Sequence, residues 1–230
     1  MTTHLVTGAG SGIGAALADR LHARGDHLVL LARTTARAGV LQERYPGSEV
    51  VVADLADATA LEELSGLPDE LDSLHHVAGV VDLGPVEDQR ADVLRHQLDV
   101  NLLAPAILTR LCLPALRRTR GMVVFVNSSA GLSANADWSA YAASKFGLRG
   151  FADALRAEEV EHGVRVTTIF PSRTATPMQE KVHEQEGRTY DASRWIAPST
   201  VVETILHVLD LPDDATIPEV TVRPVLPRAT

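Results

Sequence analysis

The sequence predicts a three-layer α/β fold, in which a doubly wound parallel sheet carries helices on both faces. Short runs rich in Val, Leu and Ile alternate with longer stretches of helical periodicity, and continuous apolar runs are typical of strands buried on both faces. With 45% hydrophobic residues in 230, one sizeable core can form, so we expect a single domain over residues 1–230. The predicted strands are His4–Val6, Leu28–Leu31, Val50–Ala53, Leu74–Ala78, Met122–Val126, Val164–Phe170 and Val220–Val222.

The charge balance and the cysteine content exclude several classes of protein. There are 30 acidic and 21 basic residues, so the formal net charge is −9, which argues against nucleic-acid and anionic-membrane partners. The single cysteine, Cys112, excludes an intrachain disulfide and lies in an apolar helical stretch, where we expect a packed core thiol. No signal peptide is evident, nor any apolar run near the length of a membrane span. We therefore expect a cytoplasmic protein without a membrane partner.

A glycine-rich turn follows the first predicted strand and precedes a predicted helix. The turn reads Thr7-Gly8-Ala9-Gly10-Ser11-Gly12-Ile13-Gly14. Glycines let the backbone approach a ligand closely, and a helix N-terminus offers unpaired N–H groups to a pyrophosphate. The flanking strand and helix make the match more specific than the glycines alone, although a tight structural turn is the alternative. The sequence thus predicts a Rossmann-type dinucleotide site on Gly8, Ser11, Gly12, Ile13 and Gly14.

The end of the second predicted strand bears on which dinucleotide binds. A dinucleotide site usually has an acidic residue there, about 20 residues after the glycines, for the ribose hydroxyls. This strand ends Leu31-Ala32-Arg33 instead, and Asp26 precedes the strand, at the wrong edge of the sheet. Since arginine suits a 2′-phosphate, Arg33 favours NADP over NAD; the alternative is an ordinary solvated arginine.

Tyr141 and Lys145 lie four residues apart in a helical pattern, so both side chains project from one face. A nearby ammonium is expected to lower the tyrosine pKa from about 10, which would make the pair a plausible acid–base group. Taken alone, this spacing is common and usually marks a surface pair.

The glycine turn and the Tyr141/Lys145 pair together resemble the short-chain dehydrogenase/reductase family, over nearly the whole chain. The resemblance implies a catalytic serine 13 residues before the tyrosine, which is Ser128 here. Ser129 is the neighbour that competes for this role, and Gly131 favours Ser128. The resemblance also implies a catalytic Asn101. Its further implied cofactor contacts are Asp54, Leu55, Ala78, Gly79, Asn101, Tyr141, Lys145, Pro171, Thr174 and Thr176.

The resemblance implies an NADP-dependent oxidoreductase that interconverts a carbonyl and an alcohol on a small substrate. Tyr141 would donate the proton, Ser128 would stabilise the developing alkoxide, Lys145 would lower the tyrosine pKa and hold the nicotinamide ribose, and Asn101 would position a water. One alternative is a carrier-protein-linked 3-ketoacyl reductase. Another is a non-catalytic dinucleotide-binding regulatory protein, which is expected to lose members of the tyrosine–lysine–serine set.

Several features lie outside this pattern. The basic cluster Arg117, Arg118 and Arg120 is either a docking patch for an acidic carrier or a solvated helix end. His76-Val77-Ala78-Gly79 stands where the family has Asn-Asn-Ala-Gly, and Ser172 replaces a glycine. His75 and His76 lack a third ligand at suitable spacing, so we expect no metal.

Two predictions concern the surroundings of the site. The polar, proline-flanked segment Ser172–Pro198 is expected to form a substrate lid; its Met178, Tyr190 and Trp195 define no substrate. On the helix that carries Tyr141, one side is expected to pack on the sheet and a second, small and apolar face to form a homodimer or homotetramer. The alternative is packing of that face within its own subunit. The sheet side holds Leu148, Phe151 and Leu155, and the second face holds Ala142, Ala143, Phe146, Gly147, Gly150, Ala154 and Ala157.

Overall fold

Seven parallel strands form one sheet in the computed structural model, which describes residues 2–225. The strands are β1 (Thr3–Val6), β2 (His27–Ala32), β3 (Glu49–Val52), β4 (Ser73–His76), β5 (Met122–Val126), β6 (Arg165–Pro171) and β7 (Glu219–Val222). Their order is β3-β2-β1-β4-β5-β6-β7. The predicted doubly wound parallel fold is therefore confirmed, while residue 1 and residues 226–230 of the predicted domain lie outside the described residues.

Eight helices of the described part cover the two faces of the sheet. They are α1 (Gly12–Ala23), α2 (Thr35–Arg44), α3 (Ala58–Glu62), α4 (Ala91–Leu98), α5 (Ala104–Thr119), α6 (Ser139–Glu159), α7 (Pro177–Gln185) and α8 (Pro198–Leu209). A π-helical segment, Asp99–Leu103, joins α4 to α5. Helices and strands thus alternate as the sequence predicts.

Each face of the sheet carries its own apolar layer. On one face, Leu17 of α1 and Ile205 of α8 are fully buried with Leu30 and Val124 of the strands. On the other face, α5 and α6 pack on β4 and β5. Full burial of such a side chain stabilises the fold by about 1.5–3 kcal/mol. The sheet side predicted for α6 is confirmed, since the second layer contains Leu148, Phe151 and Leu155.

The continuous helix Ala91–Thr119 is 29 residues long and apolar enough to cross a bilayer by length and composition, which the sequence analysis did not expect. Half of its most apolar window is buried inside the protein. Leu108 and Leu116 are fully buried in the second apolar layer. A core helix meets the same criteria of length and hydropathy, and packing on the sheet accounts for this apolar face.

Strand β4 carries two buried histidines. The His76 ring stacks on Phe125 at 4.9 Å and its Nε2 lies 2.9 Å from Thr109 Oγ1. The His75 Nε2 lies 2.6 Å from Ser73 Oγ. Burial lowers the pKa of His76 to about 3 and that of His75 well below its ordinary value, so both rings are neutral packing groups. Within residues 2–225, no three His, Cys, Asp or Glu side chains group as a metal site requires.

The thiol of Cys112 is buried in the second apolar layer, as the sequence predicts. Burial raises its pKa to about 12. Because the thiolate is the reactive form, this cysteine is chemically inert at neutral pH.

Candidate active site

The carboxyl ends of β1, β4, β5 and β6 open onto a cavity of about 1000 Å³. Chain order reverses at β1, which lies between β2 and β4, and a crevice at such a switch point is where doubly wound sheets bind ligands. The cavity brings together most of the predicted site. Predicted residues that line it are Gly8, Ser11, Gly12, Ile13, Gly14, Ala78, Gly79, Ser128, Tyr141, Lys145, Pro171, Thr174 and Thr176.

Backbone crowding explains the glycines of the turn. A Cβ on Gly14 would lie 2.2 Å from the Gly8 carbonyl oxygen, and one on Gly8, whose φ is +76°, would lie 2.8 Å from the Ala78 nitrogen. Ser11 precedes α1 without a side-chain cap, so the first N–H groups of α1 stay free for an anion. The cradle that side chains would otherwise fill fits a dinucleotide pyrophosphate.

Thr7 has a structural role that the sequence analysis missed. Its Oγ1 accepts hydrogen bonds from the Val77 and Ala78 amides at 3.0 and 3.1 Å and donates to the His75 carbonyl. Because these amides turn toward Thr7, β4 ends at His76 and not at the predicted Ala78. A hydroxyl directly after a buried strand was the signal available in the sequence.

Tyr141 and Lys145 both lie in the first turns of α6 and both are buried. The Lys145 ammonium lies 5.8 Å from the centre of the Tyr141 ring and donates to the Val126 carbonyl at 3.2 Å. Burial lowers the pKa of Lys145 to about 8. Because both side chains are buried, the alternative of a pair on the protein surface is excluded.

The expected lowering of the Tyr141 pKa is wrong for this structure. Burial raises that pKa to about 12, and a hydrogen bond with Ser128 acts in the opposite direction. Desolvation is the larger of the two effects because burial disfavours the charged phenolate. Tyr141 therefore holds its proton at neutral pH, which suits a proton donor.

Ser128, not Ser129, is the serine whose side chain acts to lower the pKa of Tyr141. The neighbouring Asn127 holds this segment in place: it accepts from the Ser128 amide at 2.8 Å and donates to the Lys145 carbonyl at 3.0 Å. A Cβ on Gly131 would lie 2.5 Å from the Asn127 side chain, which explains the glycine. The sequence analysis assigned no role to Asn127.

Asn101 lies in the π-helical segment and clamps the loop after β4. It accepts from the Val80 amide at 2.8 Å and donates to the Val80 carbonyl at 2.9 Å and to Ser144 Oγ at 3.0 Å. A Cβ on Gly79 would lie 3.2 Å from Asn101 Oδ1 and 3.7 Å from Lys145 Nζ. Asn101, Gly79 and Lys145 therefore meet at the base of the site.

Three predicted cofactor residues lie at the ends of the outer strands. Arg33 follows β2, is exposed, and precedes Thr34, whose side chain caps α2 by accepting from the Arg37 amide. Asp54, beyond β3, is exposed and accepts from the Ala56 amide at 3.0 Å. Leu55 packs against the second apolar layer. These positions are separate from the cluster around Tyr141.

The lid segment, Ser172–Pro198, contains more regular structure than the sequence analysis expected. It holds helix α7, which Thr176 caps by accepting from the Gln179 amide at 3.3 Å. Thr174 bonds the Ser172 carbonyl and pairs with Ile196, so the segment returns to its own start. The Thr176 methyl lies against Gly12, which links the lid segment to the glycine turn.

Comparison with known proteins identifies the family. The family model described as short chain dehydrogenase matches residues 2–187. The chain belongs to the short-chain dehydrogenase/reductase family. It is 34% identical to dehydrogenase/reductase SDR family member 7B of Mus musculus over 82% of this chain and 62% of that protein. It is 31% identical to a short-chain type dehydrogenase/reductase, y4eK, of Sinorhizobium fredii over 96% of this chain and 90% of that one.

Solved structures of the family share the fold throughout. A short chain dehydrogenase from Escherichia coli CFT073 complexed with NADPH has a TM-score of 0.86 and 28% identity, with 97% of each chain covered. A serine dehydrogenase complexed with NADP+ has a TM-score of 0.86 and 25% identity, with 97% of this chain and 95% of that one covered. The chain spans less than two thirds of the length of the mouse relative and almost the full length of these two solved chains.

Proposed function

We propose that the protein uses NADP(H) to interconvert a carbonyl and an alcohol on a small substrate. The observation that carries this proposal is the buried Tyr141, which lies beside Ser128 and Lys145 in the cavity onto which the glycine turn opens. No member of the catalytic set is lost, so the non-catalytic alternative has no support here.

The side chains of the site have distinct proposed roles in carbonyl reduction. The bound cofactor supplies the hydride. Tyr141 Oη donates its proton to the carbonyl oxygen as that oxygen gains charge, and Ser128 Oγ stabilises the same charge. Lys145, whose pKa is about 8, can exchange a proton near neutral pH and so return a proton to Tyr141 after each reduction. Asn101 positions the loop after β4 and a water beside Lys145.

The Tyr141→Phe variant tests this assignment. Phenylalanine keeps the packing of the ring but removes the proton donor, so turnover should fall by about 10²- to 10⁴-fold. Binding of NADPH, followed by its fluorescence, should stay within about twofold. The measurement is NADPH oxidation with a panel of aldehydes and ketones. Near-normal turnover of the best substrate would overturn the role of Tyr141.

Arg33 supports the proposed preference for NADP. Its exposed guanidinium at the end of β2, with Thr34 and Arg37 beside it, suits a 2′-phosphate. The two solved relatives described above hold NADPH and NADP+. Arg33→Ala should weaken NADPH binding by about 10- to 100-fold and leave NADH binding nearly unchanged. Arg44→Ala, at the other end of α2, is the control; equal wild-type affinity for the two cofactors would contradict the proposal.

The carrier-linked alternative gains little support from its basic cluster. Arg117 makes two hydrogen bonds with Glu159, at 2.9 and 2.6 Å, and Arg118 donates to the Asp69 carbonyl. Arg120 ends α5 in a left-handed conformation. The guanidiniums of Arg117 and Arg118 thus have hydrogen-bond partners within the chain, as expected of a solvated helix end.

We also propose that the protein is a homodimer or homotetramer built on α6. Phe146 is 44% exposed, and Ala143, Gly150, Ala154 and Ala157 are exposed beside it. Two predicted members of this face belong elsewhere: Ala142 is buried in its own subunit, and Gly147 packs under Leu102, which a Cβ would meet at 2.8 Å. A monomer mass by light scattering at micromolar concentration would contradict the proposal.

A further inference from the structure

The cavity has a charge bias that the proposed chemistry does not explain. Its charged lining side chains are Lys145, Arg173, Arg188 and Arg194, and among the described residues no Asp or Glu lines it. The chain as a whole has a net charge of −9. Three arginines of the lid segment therefore concentrate positive charge at one mouth of the cavity, where a negatively charged ligand is attracted.

Two carboxylates that contact the lid segment are bound by other groups. Glu186 accepts two hydrogen bonds from Arg173, at 2.8 and 2.6 Å. Asp82 is held by Gln185 at 2.7 Å and by Lys181 at 3.3 Å. Arg188 reaches Glu186 only at 3.9 Å, and its side chain is 55% exposed. The fork of N–H donors on Arg188 thus has capacity left for another acid group.

Arg173 is part of the cavity wall. Its guanidinium lies 5.8 Å from the Trp138 ring and 5.5 Å from the Trp195 ring, and Glu186 fixes it from the other side. The Trp138 ring lies in turn 5.8 Å from the ring of Tyr141. The Trp138 ring is therefore a neighbour of both Tyr141 and Arg173.

The hydrophobic neighbours of Tyr141 form a cluster of their own. Tyr141 is buried in a small cluster separate from the two layers on the sheet. The other buried members are Val81, Ala130 and Val182, and Leu83, Trp138 and Met178 pack against them. Such a lining favours carbon chain over polar groups next to the reacting carbon.

Building on the proposed carbonyl–alcohol chemistry, we propose that the substrate is a short-chain oxo acid or hydroxy acid whose carboxylate binds Arg188. The reacting carbon lies at Tyr141, the apolar cluster holds the carbon chain, and the guanidinium of Arg188 receives the carboxylate as a two-pronged hydrogen-bonded pair. The same chemistry would suit a phosphate of the cofactor, so the test must separate these two acids.

The test compares straight-chain oxo acids with their methyl esters. In the wild-type protein, kcat/KM for the preferred acid should exceed that for its ester by tenfold or more, of the order expected for a charged hydrogen bond. Arg188→Gln should lower this acid-to-ester ratio by about tenfold or more, and Arg188→Lys by less, because lysine keeps the charge without the fork. Arg110→Gln, an exposed arginine paired with Glu62 outside the cavity, is the matched control and should leave the ratio unchanged.

Direct binding makes the inference independent of turnover. An unreactive saturated carboxylic acid of matching length should change the fluorescence of bound NADPH in the wild type, and about tenfold more acid should be needed in Arg188→Gln. If this binding depends on Arg188 but no oxo acid is reduced, the proposed function fails while the acid site stands. Equal losses on acid and ester, or a loss confined to NADPH affinity, would overturn the assignment of Arg188 to the substrate.

Discussion

The glycine turn, residues 8–14, and the lid segment line the same cavity, but different kinds of contact fix their conformations. In the turn, backbone meets backbone: a Cβ on Gly14 or Gly8 would come within 2.2 or 2.8 Å of main-chain atoms. In the lid segment, side chains reach about 100 positions along the sequence. Lys181 donates to the Val81 carbonyl at 2.8 Å, and Gln185 donates to the Asp82 carboxylate at 2.7 Å.

This difference determines what each region tolerates. Where main-chain atoms leave no room for a Cβ, only glycine fits, so the residue type itself reports the geometry. Where a polar side chain bridges two segments, several residue types serve nearly as well, because an exposed pair contributes little free energy. The glycine turn is therefore rigid because its main-chain atoms leave no room for side chains, and the lid segment is held by contacts that are weak and replaceable.

Gly14→Ala is the substitution with the largest expected effect. Since the new Cβ would lie 2.2 Å from the Gly8 oxygen, the turn or α1 must shift, and we expect a loss of about 3 kcal/mol or more in unfolding free energy. Gly10→Ala is the matched control, because nothing lies within 4 Å of its Cβ, and it should change stability by no more than about 0.5 kcal/mol. Urea unfolding measures both. Equal effects would mean that close contact with main-chain atoms is not what requires glycine at position 14.

The same distinction explains what the sequence predicted. The seven strands follow from continuous apolar runs, and the turn follows from its glycines, of which Gly8 and Gly14 leave no room for a Cβ. Tyr141, Lys145 and Ser128 were found because their spacing follows a family pattern, and the structure places them together.

The features that the sequence did not predict share a physical cause, which is their dependence on contacts between distant parts of the chain. Thr7 binds a main-chain amide 71 residues along the chain and Asn127 binds a carbonyl 18 residues along it, and nothing in their local sequence specifies those partners. The bridge from α7 to Asp82 is likewise non-local. The direction of the Tyr141 pKa was wrong because burial depends on the whole fold, whereas the four-residue spacing to Lys145 shows only that a charge is near.

The pH dependence of stability tests the burial of His76 on the central strand β4. The two residues that follow it, Val77 and Ala78, bind Thr7. Its pKa of about 3 lies below the ordinary 6.5, so below pH 6.5 the unfolded chain takes up a proton that the folded protein refuses. The stabilisation is complete above pH 6.5 and is lost as the pH falls toward 3, at about 1.4 kcal/mol per pH unit. His76→Asn should reduce the slope of stability against pH by that amount.

Urea unfolding at pH 7, 6 and 5 measures this slope. The value expected for His76→Asn is a difference in slope, so any loss of packing on Phe125 shifts the curve without hiding the effect. His207→Asn, at an exposed position on α8, is the control and should leave the slope as it is. An unchanged slope in His76→Asn would mean that His76 takes up a proton in the folded protein. His76 would then not be a neutral packing group on β4.

Asp82→Asn gives the smallest expected effect and probes the lid segment alone. The substitution removes the charge that holds Lys181 at 3.3 Å but keeps an oxygen for Gln185. Both charged side chains are nearly half exposed, so the loss should be about 0.5–1 kcal/mol, felt as local opening of α7 and not as global unfolding. Hydrogen exchange in α7 should accelerate about two- to fivefold, while exchange in the glycine turn should not change.

Asp69→Asn, which breaks the exposed pair with Arg118, controls for the loss of one surface charge. If exchange in the turn accelerated together with α7, the two regions would open as one unit, and the contact between Thr176 and Gly12 would be the element that couples them.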